Sequence, residues 1–245
     1  MRVTLAAIGM ACALGVSAPP ALAQSLSPST IEIPTRRALV SAGVDVMATS
    51  AYVWRGFVPT DAPSVQPAPW IKIGAVTITS WANVASHGSI GTPITEHDAT
   101  IDYTRQTGAF ALSAGYTNYF FPHASSDRIS HEFYAGVAHD SYFSPSLRIY
   151  RDVAAGHGTY ANASVAHTYA LASRRITLTP NAAIGFNHHQ WTNRSTWSDL
   201  SLGVRSTLPP VSSRLSLSPF ITYSRSLAAD MLPSRLYGGL VISAK

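Results

Sequence analysis

Apolar and polar side chains alternate at every second position along most of the chain from about residue 41 onward. Phe110, Leu112 and Tyr116, for example, alternate with Ser113 and Thr117. A period of two places the two kinds of side chain on opposite faces of a β-strand. No helical period of comparable length competes with it, so the pattern predicts an all-β fold.

This alternation predicts about 12 strands, each near the roughly 9–11 residues that a tilted strand needs to cross a bilayer. Within lipid, only a closed barrel satisfies every backbone hydrogen bond of such strands. We therefore predict a closed antiparallel transmembrane β-barrel. The predicted spans are 43–55, 65–73, 75–85, 95–105, 109–121, 129–139, 146–153, 159–170, 175–187, 197–207, 213–225 and 235–244.

The connections between these spans alternate in length. Short inside turns and long outside loops are the rule for outer-membrane barrels. With both termini in the periplasm, the sequence predicts short turns near Gly74, 106–108, 140–145, 171–174 and 209–210. It predicts mostly longer outside loops at 57–64, 86–94, 122–128 and 188–196.

Composition agrees with a barrel in a membrane. Charged residues make up 12% of the chain, against roughly 25% in an average soluble domain. The mean hydropathy is only +0.11, too low for a helical membrane protein. The net charge of +5 is scattered and forms no basic stripe with interleaved aromatic residues, which argues against nucleic-acid binding.

The first residues have the order of a secretory signal. Arg2 is followed by an apolar run over 3–16, and Ala21-Leu22-Ala23 precedes Gln24. The run is too short for a transmembrane helix, so residues 1–23 are predicted to be a signal peptide cleaved before Gln24. The only cysteine, Cys12, lies inside it, which leaves the mature chain without disulfides or a cysteine metal site.

The predicted mature chain has two parts. Residues 24–40 are rich in Ser, Pro and Thr and are interpreted as a flexible periplasmic lead-in, and 41–245 as the barrel. The predicted location is the bacterial outer membrane. The expected partners are outer-membrane lipid and a small solute.

Charged residues of both signs are expected on the lumen side of the predicted strands. They would form a pairing network that either plugs the barrel or lines a small aqueous path. About eight strands leave an interior filled by side chains and 16–18 leave an open channel, so about twelve predict a constricted pore. These pore-lining candidates are Asp45, Arg55, Asp98, Asp102, Glu132, Arg148, Asp152, Asp199, Arg205, Arg214 and Arg225.

Arg55-Gly56 is the sharpest local feature. Arg55 is expected at the outer end of the first strand, facing the lumen. Two interpretations stay open. Arg55 either attracts an anionic solute at the outer mouth or pairs with a carboxylate of the lumen, while Gly56 allows the chain to turn out of the strand.

The opening segment resembles the signature of the TorF-type porins, a family of Gram-negative outer-membrane proteins. The resemblance implies an outer-membrane barrel with pore activity and extends over roughly 41–244. The residues that carry it are Ser50, Tyr52, Trp54, Arg55, Gly56, Asp61, Pro63, Gln66 and Pro67.

Some outer-membrane barrels hydrolyse lipids. Such an enzyme needs a serine beside a histidine that is itself oriented by a third group. The nine histidines are scattered, and there is no G-x-S-x-G motif. Adjacent histidines such as His188-His189 rarely make a metal site. We predict no enzyme activity, no metal and no cofactor.

The sequence thus favours a porin-like passive channel for small solutes across the bacterial outer membrane. One alternative is a non-conducting structural or adhesive barrel whose loops carry the interactions. Another is an outer-membrane lipid hydrolase.

Overall fold

The computed structural model describes residues 40–86, 93–171 and 176–245. The predicted signal peptide, nearly all of the predicted lead-in, most of the 86–94 loop and most of the 171–174 turn lie outside these residues. Among the described residues, no helix has the length and hydrophobicity needed to span a bilayer.

The described residues form fifteen strands. They are β1 (Val40–Thr49), β2 (Tyr52–Trp54), β3 (Phe57–Thr60), β4 (Ser64–Ile73), β5 (Val76–Ala85), β6 (Ile94–Thr107), β7 (Phe110–Phe120), β8 (Ile129–His139), β9 (Ser146–Asp152), β10 (Thr159–Ala166), β11 (Tyr169–Leu171), β12 (Ile176–His188), β13 (Ser195–Thr207), β14 (Leu215–Ser226) and β15 (Arg235–Ala244).

Twelve of these strands close into one antiparallel barrel. The order is β1-β4-β5-β6-β7-β8-β9-β10-β12-β13-β14-β15, and β15 pairs with β1 to complete the ring. The short β11 lies against β12 beyond the end of β10. The predicted fold class and number of strands are confirmed, with strand ends mostly within two residues of those expected.

The two faces of the barrel wall differ sharply. Outward positions carry large, exposed apolar side chains, such as Ile101 on β6, Leu112 on β7 and Leu202 on β13. Lumen positions carry buried Ser, Thr, Asn, Asp and Glu, such as Thr100 and Asp102 between the outward residues of β6. A one-residue slip would exchange these faces, so the alternation fixes the register of each strand.

Short connections lie at one end of the barrel, and most of the longer ones lie at the other end. We call the end with the short connections at 74–75, 108–109, 140–145 and 208–214 the turn end; Lys245 lies there. The opposite loop end has the connections at 50–63, 86–93, 121–128, 153–158, 189–194 and 227–234.

The first connection departs from the sequence prediction. The chain was expected to continue in one strand over 43–55 and then form an outside loop. Instead β1 ends at Thr49, and residues 50–63 fold back into the barrel as a separate two-stranded hairpin, β2–β3. We call this segment the lumen hairpin.

Candidate functional site

The lumen hairpin turns at Arg55-Gly56. Both residues have positive φ, 52° and 83°, and Trp54 pairs with Phe57 across them. A two-residue turn with both φ values positive matches the right-handed twist of the strands that it joins. Arg55 is not a glycine, so its backbone is held in an unfavourable conformation by the contacts of its side chain.

Apolar packing holds the first arm of the hairpin to the lumen wall. Tyr52 packs against Trp81 of β5, with ring centroids 5.3 Å apart. Trp54 contacts Tyr119 of β7 edge-on at 6.1 Å. Tyr52 belongs to a buried cluster inside the barrel that also holds Ala51, Val53, Met47, Ala68, Phe220, Tyr237 and Val241.

Polar contacts fix the second arm and the two ends of the hairpin. Asn83 of β5 donates from Nδ2 to Thr60 Oγ1 at 3.0 Å, and it accepts a bond from Gln66 Nε2 at 2.9 Å. Asp61, where the hairpin leaves the lumen, pairs with Arg235 at the start of β15. The hairpin is therefore anchored on both sides of β1.

The Arg55 side chain extends from the hairpin tip across the lumen. Its guanidinium donates from Nη1 and Nη2 to the two Glu132 oxygens, at 2.6 and 2.8 Å, and from Nη1 to Gln190 Oε1 at 2.7 Å. It also stacks over Tyr150 of β9 at 3.9 Å and Tyr160 of β10 at 4.8 Å. Since β9 lies six strands from β1 in either direction, the side chain reaches the opposite wall.

The pair at the tip is buried and charged. Burial acts to lower the pKa of the Arg55 guanidinium, but the charge and hydrogen bonds of Glu132, together with Tyr119 and Tyr150, outweigh it and raise the pKa above its ordinary value. Glu132 also accepts bonds from Tyr119 Oη at 2.8 Å and Gln190 Nε2 at 2.5 Å. Of the two interpretations of Arg55, the structure shows the carboxylate pair.

Nine of the eleven candidates for an inward position lie on the lumen side or in the lumen hairpin. Two do not, and that part of the prediction is wrong. Arg214 lies exposed in the turn before β14 rather than in a strand. Arg225 is exposed on the outward face of β14, because the lumen side of this strand is marked by its buried even-numbered neighbours Ser224 and Ser226.

Asp152 faces inward, but its side chain binds the backbone of a loop. Its Oδ1 accepts bonds from the backbone N–H groups of Ala154, Gly156 and His157 at 2.9, 3.1 and 3.3 Å. Ser130 Oγ donates to both of its oxygens, at 2.7 and 2.8 Å. This carboxylate shapes the 153–158 loop.

Several residues of the site were missing from the candidates. Glu96 is buried on the lumen side of β6, and its shared parity with Asp98 would have identified it. Gln190 lies in a loop, where alternation gives no signal. The buried tyrosines Tyr134, Tyr150 and Tyr160 form a row on β8, β9 and β10.

Some polar side chains of the lumen remain partly exposed. Asn162, Asn181, Ser201 and Arg205 occupy lumen positions of their strands and yet are half-exposed. Most other lumen residues are buried, from Glu132 and Asp98 beside the hairpin to Ala138 and Ser243 at the turn end. The barrel interior is thus polar and narrow, and the lumen hairpin obstructs it.

A serine and a histidine are in contact on the outward face. Ser80 Oγ of β5 lies 2.9 Å from His97 Nε2 of β6, and both side chains are exposed. Glu96 and Asp98 point to the other face of β6. Among the described residues, no group of three His, Cys, Asp or Glu side chains could hold a metal ion.

Comparison with solved structures identifies the type of barrel. The KdgM porin, solved in complex with disordered oligogalacturonate, superposes with a TM-score of 0.52 at 9% identity over 84% of this chain and 99% of its own. The chain has a porin-like fold. The translocator domain of the autotransporter NalP from Neisseria meningitidis matches with a TM-score of 0.39 at 9% identity, covering 84% and 87% of the two chains. No family model and no curated protein matches the sequence.

Proposed function

We propose that this protein is a porin-like channel for small solutes in the bacterial outer membrane, narrowed at one end by the lumen hairpin. The observation that carries the proposal is the contrast between the two faces of the wall. Exposed apolar side chains such as Leu202 face outward, as lipid requires, while polar side chains such as Thr100 and Asn181 face the lumen.

The same proposal implies how the protein is oriented in the membrane and how it is exported. Long loops of outer-membrane barrels face the cell exterior, so the loop end would be the cell surface and the turn end the periplasm. The signal peptide at 1–23 would be removed on export, and sequencing of the mature protein from the membrane fraction should begin at Gln24. Membership of the TorF-type porins, which rests on the opening motif, is part of this proposal.

Conductance in planar bilayers tests the channel. Thr49 pairs directly with Ser64, so a two-residue Asn-Gly turn can replace 50–63 without changing the register of β1 and β4. We combine this replacement with Glu132→Gln, which removes the carboxylate left without Arg55, and call the product the turn variant. The wild type should conduct weakly and the turn variant more strongly, because the obstruction has been removed.

A barrel that assembles but does not conduct in either form would contradict the channel. The non-conducting structural or adhesive barrel would then be the better description. The matched control is Glu132→Gln alone, which keeps the hairpin and should resemble the wild type more closely than the turn variant.

The contact between Ser80 and His97 supports a second candidate, hydrolysis of lipid esters on the outward face. A serine in hydrogen-bond contact with a histidine is the minimal arrangement for an activated nucleophile. Release of fatty acid from phospholipid micelles, lost in Ser80→Ala and retained in Ser216→Ala at the turn end of β14, would establish it. No release by the wild type would remove this candidate.

A further inference from the structure

Carboxylates outnumber cations inside the barrel, although the chain as a whole is positive. Among the described residues, eight carboxylates and four guanidiniums occupy lumen positions or the hairpin. Lys72 and Lys245 at the turn end add two cations and leave an excess of carboxylates. The eight are Asp45, Asp61, Glu96, Asp98, Asp102, Glu132, Asp152 and Asp199, and the four are Arg55, Arg148, Arg205 and Arg235.

The imbalance is greatest where the lumen is narrowest. Arg55 is the cation at the hairpin tip, and both oxygens of Glu132 bind it. Glu96 and Asp98 occupy successive lumen positions of the adjoining β6 wall, and both are buried. None of the salt bridges between described residues includes Glu96 or Asp98.

One oxygen of Asp98 is also unsatisfied by hydrogen bonds. The residue is only 5% exposed, and its Oδ1 has no protein donor. Thr79 Oγ1, one lumen position along β5 from the residue that pairs with Asp98, is likewise buried without a partner. A buried carboxylate without a counter-charge is costly, and a cation in the lumen would supply that charge.

We propose that the channel prefers cations over anions, and that Glu96 and Asp98 beside the lumen hairpin are the residues that select them. This inference rests on the proposed channel function. Carboxylates at a constriction draw cations and oppose anions, and the surrounding low-dielectric wall strengthens the effect. Arg55 does not reverse this preference for cations, because Glu132 neutralises its positive charge.

The test is the reversal potential across a bilayer with a KCl gradient, measured for the wild type and the turn variant. We expect a several-fold preference for K⁺ over Cl⁻ near 0.1 M salt and a smaller one near 1 M, where the Debye length falls from about 10 Å to about 3 Å. In Glu96→Gln/Asp98→Asn most of the preference should be lost. Asp140→Asn, in an exposed turn outside the lumen, should retain it.

The possible failures are distinct. No conductance in the wild type or the turn variant refutes the channel itself. Conductance with a reversal potential near zero, or one that favours Cl⁻, refutes cation preference and leaves the channel standing. An assembled, conducting Glu96→Gln/Asp98→Asn barrel with unchanged preference refutes the role of these two residues. If that variant does not assemble, the reversal potentials of the wild type and turn variant still decide the sign.

Discussion

Arg55 and Glu132 are 77 positions apart in the chain, yet two hydrogen bonds of 2.6 and 2.8 Å join the guanidinium to the carboxylate inside the barrel. Arg55 belongs to a hairpin that begins after β1, and Glu132 belongs to β8 near the far wall. This pair fastens the tip of the lumen hairpin to the opposite wall.

Arg55→Ala should destabilise the protein by about 3–5 kcal/mol, because it leaves Glu132 as a buried carboxylate without its cation. Arg55→Ala/Glu132→Gln should recover part of this loss, since the unpaired charge is then absent. Denaturant unfolding in lipid vesicles measures both. The exposed, outward Arg225→Ala serves as the control and should change stability little; an equal effect of all three would contradict the importance of the pair.

Gly56→Ala should be more destabilising than Gly108→Ala. Both glycines have positive φ, 83° and 58°, so both substitutions carry a backbone penalty of about 1–2 kcal/mol. A Cβ on Gly56 would also lie 3.1 Å from Asp199 Cβ and from Leu232 Cδ1, whereas a Cβ on Gly108 meets nothing within 4 Å. The same unfolding assay compares them, and similar losses would show that the hairpin tip adapts freely.

Leu202→Arg should cost about 2–4 kcal/mol if Leu202 lies near the bilayer midplane, because it places a charge in lipid. Leu202 is 50% exposed on the outward face of β13. Its neighbour Ser201 lies on the lumen side, where Ser201→Arg can reach water and should cost much less. Reversible unfolding in vesicles measures the difference, and equal costs would argue against lipid around this face.

A cysteine in place of Ser125, in the 121–128 loop, should react with an impermeant thiol reagent on intact cells. A cysteine in place of Ser141, in the turn at 140–145, should react only after lysis, because the two residues lie at opposite ends of the barrel. The mature chain is expected to lack cysteine, so labelling is specific. The reverse pattern would invert the proposed orientation.

The strand pattern was predictable because alternation is a local property of each strand. Ile101 and Tyr103 alternate with Thr100 and Asp102 within one short stretch, and the structure places these pairs on opposite faces as expected. Neighbouring strands along the chain are also neighbours in this barrel, apart from the closure by β1 and β15, so the order of strands follows almost directly. Arg225 faces outward because the even-numbered residues of β14, such as Ser224 and Ser226, occupy the lumen side.

By itself, the sequence determined the two faces of the wall, the number of strands and the alternation of short turns with longer loops. All three depend on side-chain polarity at a spacing of two or on turn residues between strands. It also supplied the Arg55-Gly56 pair, whose glycine favours a turn with positive φ.

Only the tertiary structure decided where that turn points. The sequence predicted a strand up to residue 55 and an outside loop over 57–64, but residues 50–63 enter the lumen, where Tyr52 packs on Trp81 and Arg55 binds Glu132 and Gln190. These partners come from β5, β8 and a distant loop, and they become neighbours only when the barrel closes. The charge balance of the lumen depends on the same closure, because attraction between charges falls with distance in space and is indifferent to distance along the chain.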